Sequence, residues 1–337
     1  MQIVFLNTFE KQEDGLTAVS AQLSICEKDG RWSVLWLELS GAESRQEQTP
    51  EPQIWYEGTS WEELLAAFRH GAARMMGQGY EPIIDGMLEQ SRTPGSFLSM
   101  LQCYGELHCD QTLFQSLKEW RRTTAAEEKK SAYLVATNRM LWMIGAFVPK
   151  TEEELLQIPG WGKTKHAAYG GAVLAITQEA PRSTSFPLQW VADKLDAEAY
   201  RQWLFKQKEN KYKTIMERHR EKKKILSLLS GSGTLETLQN ELSLPRRELL
   251  GRLEQLEQEG YDMEPLIERE LTAVPEEEQK RIWDALVSIG DRYLKPILQQ
   301  VYGDEEAGNS GRSVEQLYER LRLMRLRFRR HRESDAG

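Results

Sequence analysis

A change of hydrophobic period near residue 110 constrains this chain more than any other feature. Upstream of it, Val19 to Ile25 alternates apolar and polar residues, as a half-buried strand does. Asp29 and Gly30 form a turn signal, and Trp32 to Leu37 reads as the return strand. Ile54, Trp55 and Tyr56 read as a third strand, after a polar, aperiodic loop from Gly41 to Pro52. Ser60 and Glu63 have the spacing of a capping box. The helix they open would bury Leu64, Leu65, Phe68, Ala72 and Met75.

From Thr112 onward the strand signal vanishes. Leu113, Phe114, Leu117 and Trp120 share one helix face, and Leu134 to Phe147 supplies further apolar turns that end at Pro149. Thr151 and Glu154 predict a second capping box, opening a short helix that buries Leu155, Leu156 and Ile158. Pro159, Gly160, Trp161 and Gly162 break that helix, and Lys163 to Ile176 resumes one.

With 337 residues the chain is long enough for two or three domains. The pattern divides it into a small α+β domain at 1–108, a helical bundle at 111–178, a linker with a long basic helix at 179–224, and a helical domain at 225–332. The expected fold class is therefore multi-domain and mostly α. Tyr200, Trp203, Leu204, Tyr212, Ile215 and Met216 mark one side of the long helix, which follows Pro181 and Pro187. Thr234 to Leu242 and Pro245 to Glu259 read as two helices around a short turn, with Leu249, Leu250, Leu253 and Leu256 facing the core.

Charge narrows the function. The net charge of −8 excludes a uniformly basic coat, so nucleic-acid binding would have to come from local patches. Lys206 to Lys224 holds nine Lys or Arg against three Glu, interleaved with Phe205 and Tyr212, so Lys211 and Lys213 are candidate phosphate contacts. As a solvated helix face the same run needs no function. Arg320, Arg322, Arg325, Arg327, Arg329 and Arg330 invite the same two readings in the last predicted helix, Ser313 to Arg332.

Catalytic signals are thin. Cys103, His108 and Cys109 lack a fourth ligand at a useful spacing, and the five histidines are scattered singly. No cofactor is expected. Gly160-Trp161-Gly162-Lys163-Thr164 resembles a phosphate loop only superficially. The position five before Gly162 is Gln157 rather than Gly, and a helix is predicted where a strand is required. The alternatives at this turn are a packing hairpin or an anion site at the start of the next helix, with Gly160 and Gly162 shaping the backbone and Lys163 and Lys165 adding charge. The longest apolar runs are too short to span a bilayer and the N-terminus lacks a basic signal region, so a cytoplasmic protein without membrane contact is expected.

Three stretches then carry a resemblance: Leu113 to Arg121, Tyr133 to Leu141, and Glu154 to Lys165 with Tyr169 and Gly170 behind. In order and spacing they are similar to the HRDC domain, the helicase-and-RNase-D C-terminal module, over about 111–178. Ser131 and Ala132 stand where many members carry proline. The resemblance implies a compact helical bundle that binds nucleic acid or a partner protein and performs no chemistry of its own.

A second resemblance covers about 225–330, where Thr234 to Leu242 and Pro245 to Leu253 look like a helix-turn-helix of the kind appended to some RecQ-type helicases. Arg246, Arg247 and Arg252 would then be free to approach DNA, although Glu248, Glu254, Glu257 and Glu259 argue against deep entry into a groove. The expected function is a non-enzymatic accessory that binds single-stranded or structured DNA, or RNA, in a helicase context. A protein-interaction scaffold, or a hydrolase or nuclease hidden in residues 1–108, is the alternative.

Overall fold

The computed structural model describes residues 1–13, 17–39, 51–88, 96–231, 233–309 and 313–335. Most of the expected loop between Gly41 and Pro52 lies outside them. The chain forms two compact units, Met1–Ile215 and Met216–Gly337.

The first unit opens with a five-stranded antiparallel sheet of order β4-β3-β2-β1-β5. Its strands are β1 (Gln2–Glu13), β2 (Thr17–Lys28), β3 (Arg31–Leu39), β4 (Gln53–Gly58) and β5 (Glu81–Pro82). Asp29 and Gly30 both have positive φ, +52° and +74°, which matches the twist of a two-residue hairpin and pairs Lys28 with Arg31. Strand β1 is absent from the sequence reading because Ile3, Val4 and Leu6 keep its exposed side apolar, so the period-2 signal is blurred. Asn7 turns inward from β1 and is 2% exposed. Its amide donates to Ile84 O at 2.7 Å and accepts from Ile84 N–H at 3.1 Å, so the buried polar group is satisfied and the β5 edge is fixed.

Helix α1 (Trp61–Gly77) covers the sheet and buries Leu64, Phe68, Ala72 and Met75 against Leu23, Val34 and Trp36. Ser60 Oγ accepts from Glu63 N–H as expected. The other half of the capping box is replaced: Tyr56 OH accepts from Ser60 N–H and donates to the Glu63 carboxylate.

The helical bundle comprises α2 (Phe97–His108), α3 (Gln111–Glu127), α4 (Ala132–Val135), α5 (Asn138–Phe147), α6 (Glu152–Leu155), α7 (Lys163–Gln178) and α8 (Val191–Lys194). Helix α2 falls in the stretch assigned from sequence to the α+β domain, yet its Leu101 joins the bundle core with Leu117, Leu141, Ile144 and Phe147. A Cβ on Gly105 would lie 2.8 Å from Met143 Cγ and 3.1 Å from the Met143 backbone, so glycine is what lets α2 and α5 approach. A helix, α6, precedes the glycine turn where a phosphate loop needs a strand. At α6 Thr151 Oγ1 accepts from Glu154 N–H, while the Glu154 carboxylate accepts from Lys150 N–H.

Helix α9 (Ala197–Leu229) is more than a linker. Tyr212 is 2% exposed and packs into the core of the sheet and α1, a burial that contributes on the order of 2–3 kcal/mol.

The second unit is helical: α10 (Leu235–Leu242), α11 (Arg246–Gln258), α12 (Glu264–Leu271), α13 (Glu276–Ile289), α14 (Leu294–Asn309, broken at Gly303) and α15 (Val314–Asp335). Leu249, Leu250, Leu253 and Leu256 face its core as expected. No helix among the described residues is long and apolar enough to cross a membrane.

Candidate nucleic-acid interface

Helix α4 is one turn long, too short to persist alone. Val135 and Ala136, both fully buried, tie its end to the bundle core. Two cations satisfy the carbonyls that so short a helix leaves open. Lys165 Nζ, from the first turn of α7, donates to Leu134 O and, at 2.8 Å, to Val135 O. Arg121 Nη1, from α3, donates to Ala136 O at 2.9 Å. Burial shifts both cations below their ordinary pKa, with Lys130 adding repulsion at Lys165.

This clamp holds Tyr133 and Leu134 outward, 66% and 52% exposed. Lys129 and Lys130 lie between α3 and α4, a few residues before Tyr133, and Lys163 starts α7; all three are exposed. Lys130 pairs with Glu128 at 2.9 Å, and Tyr169 OH donates to the same carboxylate at 2.7 Å, which holds Glu128 below the usual carboxylate range. Lys129 sits in the left-handed region at φ +52°, where the chain leaves α3 and where glycine is the ordinary residue. Lysine there costs about 1 kcal/mol of backbone strain. Exposed aromatic rings together with exposed lysines are the combination that stacks on bases while neutralising phosphates.

The residues singled out from sequence fare unequally. Gly160 has φ +84°, a conformation that residues with a Cβ resist, and so earns its glycine. Gly162 has φ −84° with open space where a Cβ would lie; neither strain nor crowding explains it. Lys163 is available to an anion, whereas Lys165 is a positioning residue whose ammonium is already held by two carbonyls. On α9, Lys211 lies over the Tyr212 ring at 5.5 Å, and Lys213 is exposed.

In the second unit Arg246 makes a two-pronged pair with Glu319, at 2.9 and 2.7 Å, and Arg252 reaches Glu221 at 2.7 Å and Glu248 at 3.3 Å. They are not the free groove contacts expected; Arg247 is exposed, with no ion-pair partner among the described residues. The arginines of α15 are likewise engaged: Arg320 with Glu278, Arg325 with Glu254, Arg327 with Glu264, and Arg329 with Asp291. Sequence reasoning did not single out Tyr133 or Lys129 as candidates, although Lys129-Lys130-Ser131-Ala132-Tyr133 carries the basic-aromatic signal.

Burial pushes the Cys103 thiol up to about 12 and the Cys109 thiol up to about 11, so both stay protonated at neutral pH. Among the described residues no group of three or more His, Cys, Asp or Glu could hold a metal ion.

Comparison with known proteins agrees with the geometry. Residues 110–177 match the HRDC domain family. The ATP-dependent DNA helicase UvrD2 of Mycobacterium tuberculosis and that of Mycobacterium bovis are each 38% identical to this chain over 69 residues, 20% of this chain and 10% of the helicase. The match thus spans about a tenth of these relatives' length. No solved structure matches the chain significantly. The segment that presents Tyr133 and its lysines is therefore an HRDC domain.

Proposed function

We propose that this chain is a non-catalytic accessory protein that binds single-stranded or forked DNA through its HRDC domain, in company with a helicase. The carrying observation is Tyr133, exposed beside Leu134 on a clamped helix and preceded in the chain by the exposed Lys129 and Lys130, with a further exposed lysine, Lys163, opening α7. The helicase relatives support the DNA context. Contacts of this kind position phosphates and stack on bases without reading sequence, so affinity would depend on salt and little on sequence.

A salt series against single-stranded, duplex and forked DNA tests this reading. Raising salt from about 50 to 200 mM should weaken binding roughly tenfold if two or more phosphates are neutralised. Tyr133→Ala should cost about 1–3 kcal/mol for a stacked base. Absence of binding at low salt, or unchanged affinity in Tyr133→Ala with Lys163→Glu, would refute it. The closed ion pairs of Arg246 and Arg252 favour a protein-docking role for the second unit.

A further inference from the structure

Strands β1 to β4 build a core on one side only. Phe9, Leu23, Val34 and Trp36 fill it beneath α1. Side chains alternate along a strand, so the residues between them point the opposite way. Register aligns these outward positions in rows: Leu6, Ser24, Leu35 and Ile54 cross four strands in one, and Thr8, Gln22 and Leu37 cross three in the next. The irregularity between Ile3 and Phe5 adds Val4, 49% exposed, to the apolar side of β1. Leu6 is 44% exposed and Ile54 61%, and Leu35, Leu37 and Leu39 join none of the hydrophobic cores among the described residues. Glu10 and Glu57 stand in the flanking rows; the two rows between them carry no charge.

Such a face presents no cation to a phosphate and repeats the inner-face pattern of a β-sandwich that lacks its second sheet. Its relief is self-complementary. Ser20, Ser24 and Cys26 make β2 a low strip between the apolar ridge of β1 and the leucine ridge of β3. A two-fold axis parallel to the strands lays β3 of one copy over β2 of the other, and Leu6 over Ile54 of the second copy. Each copy carries a net charge of −8, so two copies repel one another except across an uncharged surface. Four strands about 4.8 Å apart and some seven residues long make a face of roughly 450 Å² before side-chain relief is added, so two faces bury on the order of 1,000 Å², enough for a concentration-dependent dimer. We propose that this outer sheet face is the interface of a homodimer, packed sheet on sheet. It is independent of the DNA-binding reading.

Sedimentation of the full chain over about 1–100 μM tests the proposal. A shift from 39.0 kDa toward twice that mass is expected, and it should tighten as salt rises from about 50 to 500 mM because the copies carry like charge. Leu6→Glu with Ile54→Glu, at two exposed positions, should weaken dimerisation at least about tenfold with circular dichroism unchanged, and Leu6→Lys with Ile54→Glu should restore it. Leu6→Cys with Ile54→Cys should link two chains on copper-phenanthroline oxidation, since three strand spacings, about 14 Å, keep the two thiols apart within one chain. A monomer at every concentration, a dimer indifferent to the paired glutamates, or a double-cysteine variant that forms no linked dimer would overturn the proposal.

Discussion

Removing the carboxylate of Glu278 should destabilise the second unit by several kcal/mol. Glu278 on α13 is 4% exposed and accepts from Arg320 Nη1 at 2.7 Å on both oxygens and from Tyr302 OH at 2.5 Å. Glu278→Ala leaves a guanidinium and a phenol without that acceptor. Loss of one partner of a buried pair costs about 3–5 kcal/mol, and Arg320, with 17% of its side chain exposed, reaches enough water to place the cost near the lower end. Glu278→Gln keeps an acceptor for one donor and should cost about 1–2 kcal/mol. Replacing Glu278 and Arg320 by leucine together with Tyr302→Phe removes the desolvation costs with the attraction, and should return stability to within about 1 kcal/mol of the parent. Trp283, the single tryptophan between residues 216 and 337, packs on Phe328 and His331 of α15 at ring distances of 5.2 and 5.5 Å. Its 5-fluorotryptophan resonance, followed through urea unfolding of the full chain, reports this unit alone. A Glu278→Ala cost below about 1 kcal/mol, or a triple variant as unstable as Glu278→Ala, would refute the reasoning.

Lys165→Met should lower both stability and DNA affinity by freeing α4, whereas Lys163→Glu should lower affinity with the thermal midpoint unchanged; equal thermal shifts would contradict the division of roles. Gly160→Ala should cost about 1–2 kcal/mol because φ is +84°, while Gly162→Ser should be neutral or stabilising by a few tenths as an N-cap, both read by thermal unfolding. Asp291 is held below the usual carboxylate range by its hydrogen bond from Arg329, and Asp262 by that from Arg330. A depressed folded pKa gives stability that is present above the unfolded value of about 4 and lost as pH falls through the folded one. The Trp283 transition should therefore weaken at acid pH below about 4, and Asp291→Asn should flatten that dependence; an unchanged profile would count against it.

The hairpin at Asp29 and Gly30, the helix over α1, the bundle and the leucine face of α11 were legible because each rests on local spacing. Strand β1 was not, since its solvent side is apolar as well. The HRDC segment was legible from its leucines and its Pro-Gly-Trp-Gly turn. The exposed α4 surface proposed to meet DNA was not, because α4 is held in place only through cations arriving from α3 and α7. Spacing reports a residue's own helix and says nothing of the carbonyl a distant lysine will reach.

The arginines of α15 make the same point about charge. As a run they resembled a phosphate-binding arm, yet the apolar residues among them carried a different message. At 100° per residue Leu317, Leu321 and Met324 fall on one side of the helix, while Leu323 and Leu326 fall on the opposite side. All five are at most 2% exposed. A helix buried on two sides lies inside a bundle, and arginines between its apolar stripes must then meet carboxylates on the helices around it. Glu254, Glu264, Glu278 and Asp291 answer from α11, α12, α13 and the turn before α14. The glutamates that argued against groove entry by α11 are thus partly consumed by α15: Glu254 accepts from Arg325 at 2.5 Å, and Arg322 stands 3.8 Å away. Pairing of acids with arginines inside the second unit thus turns the α15 run from an apparent phosphate-binding arm into part of that unit's own packing.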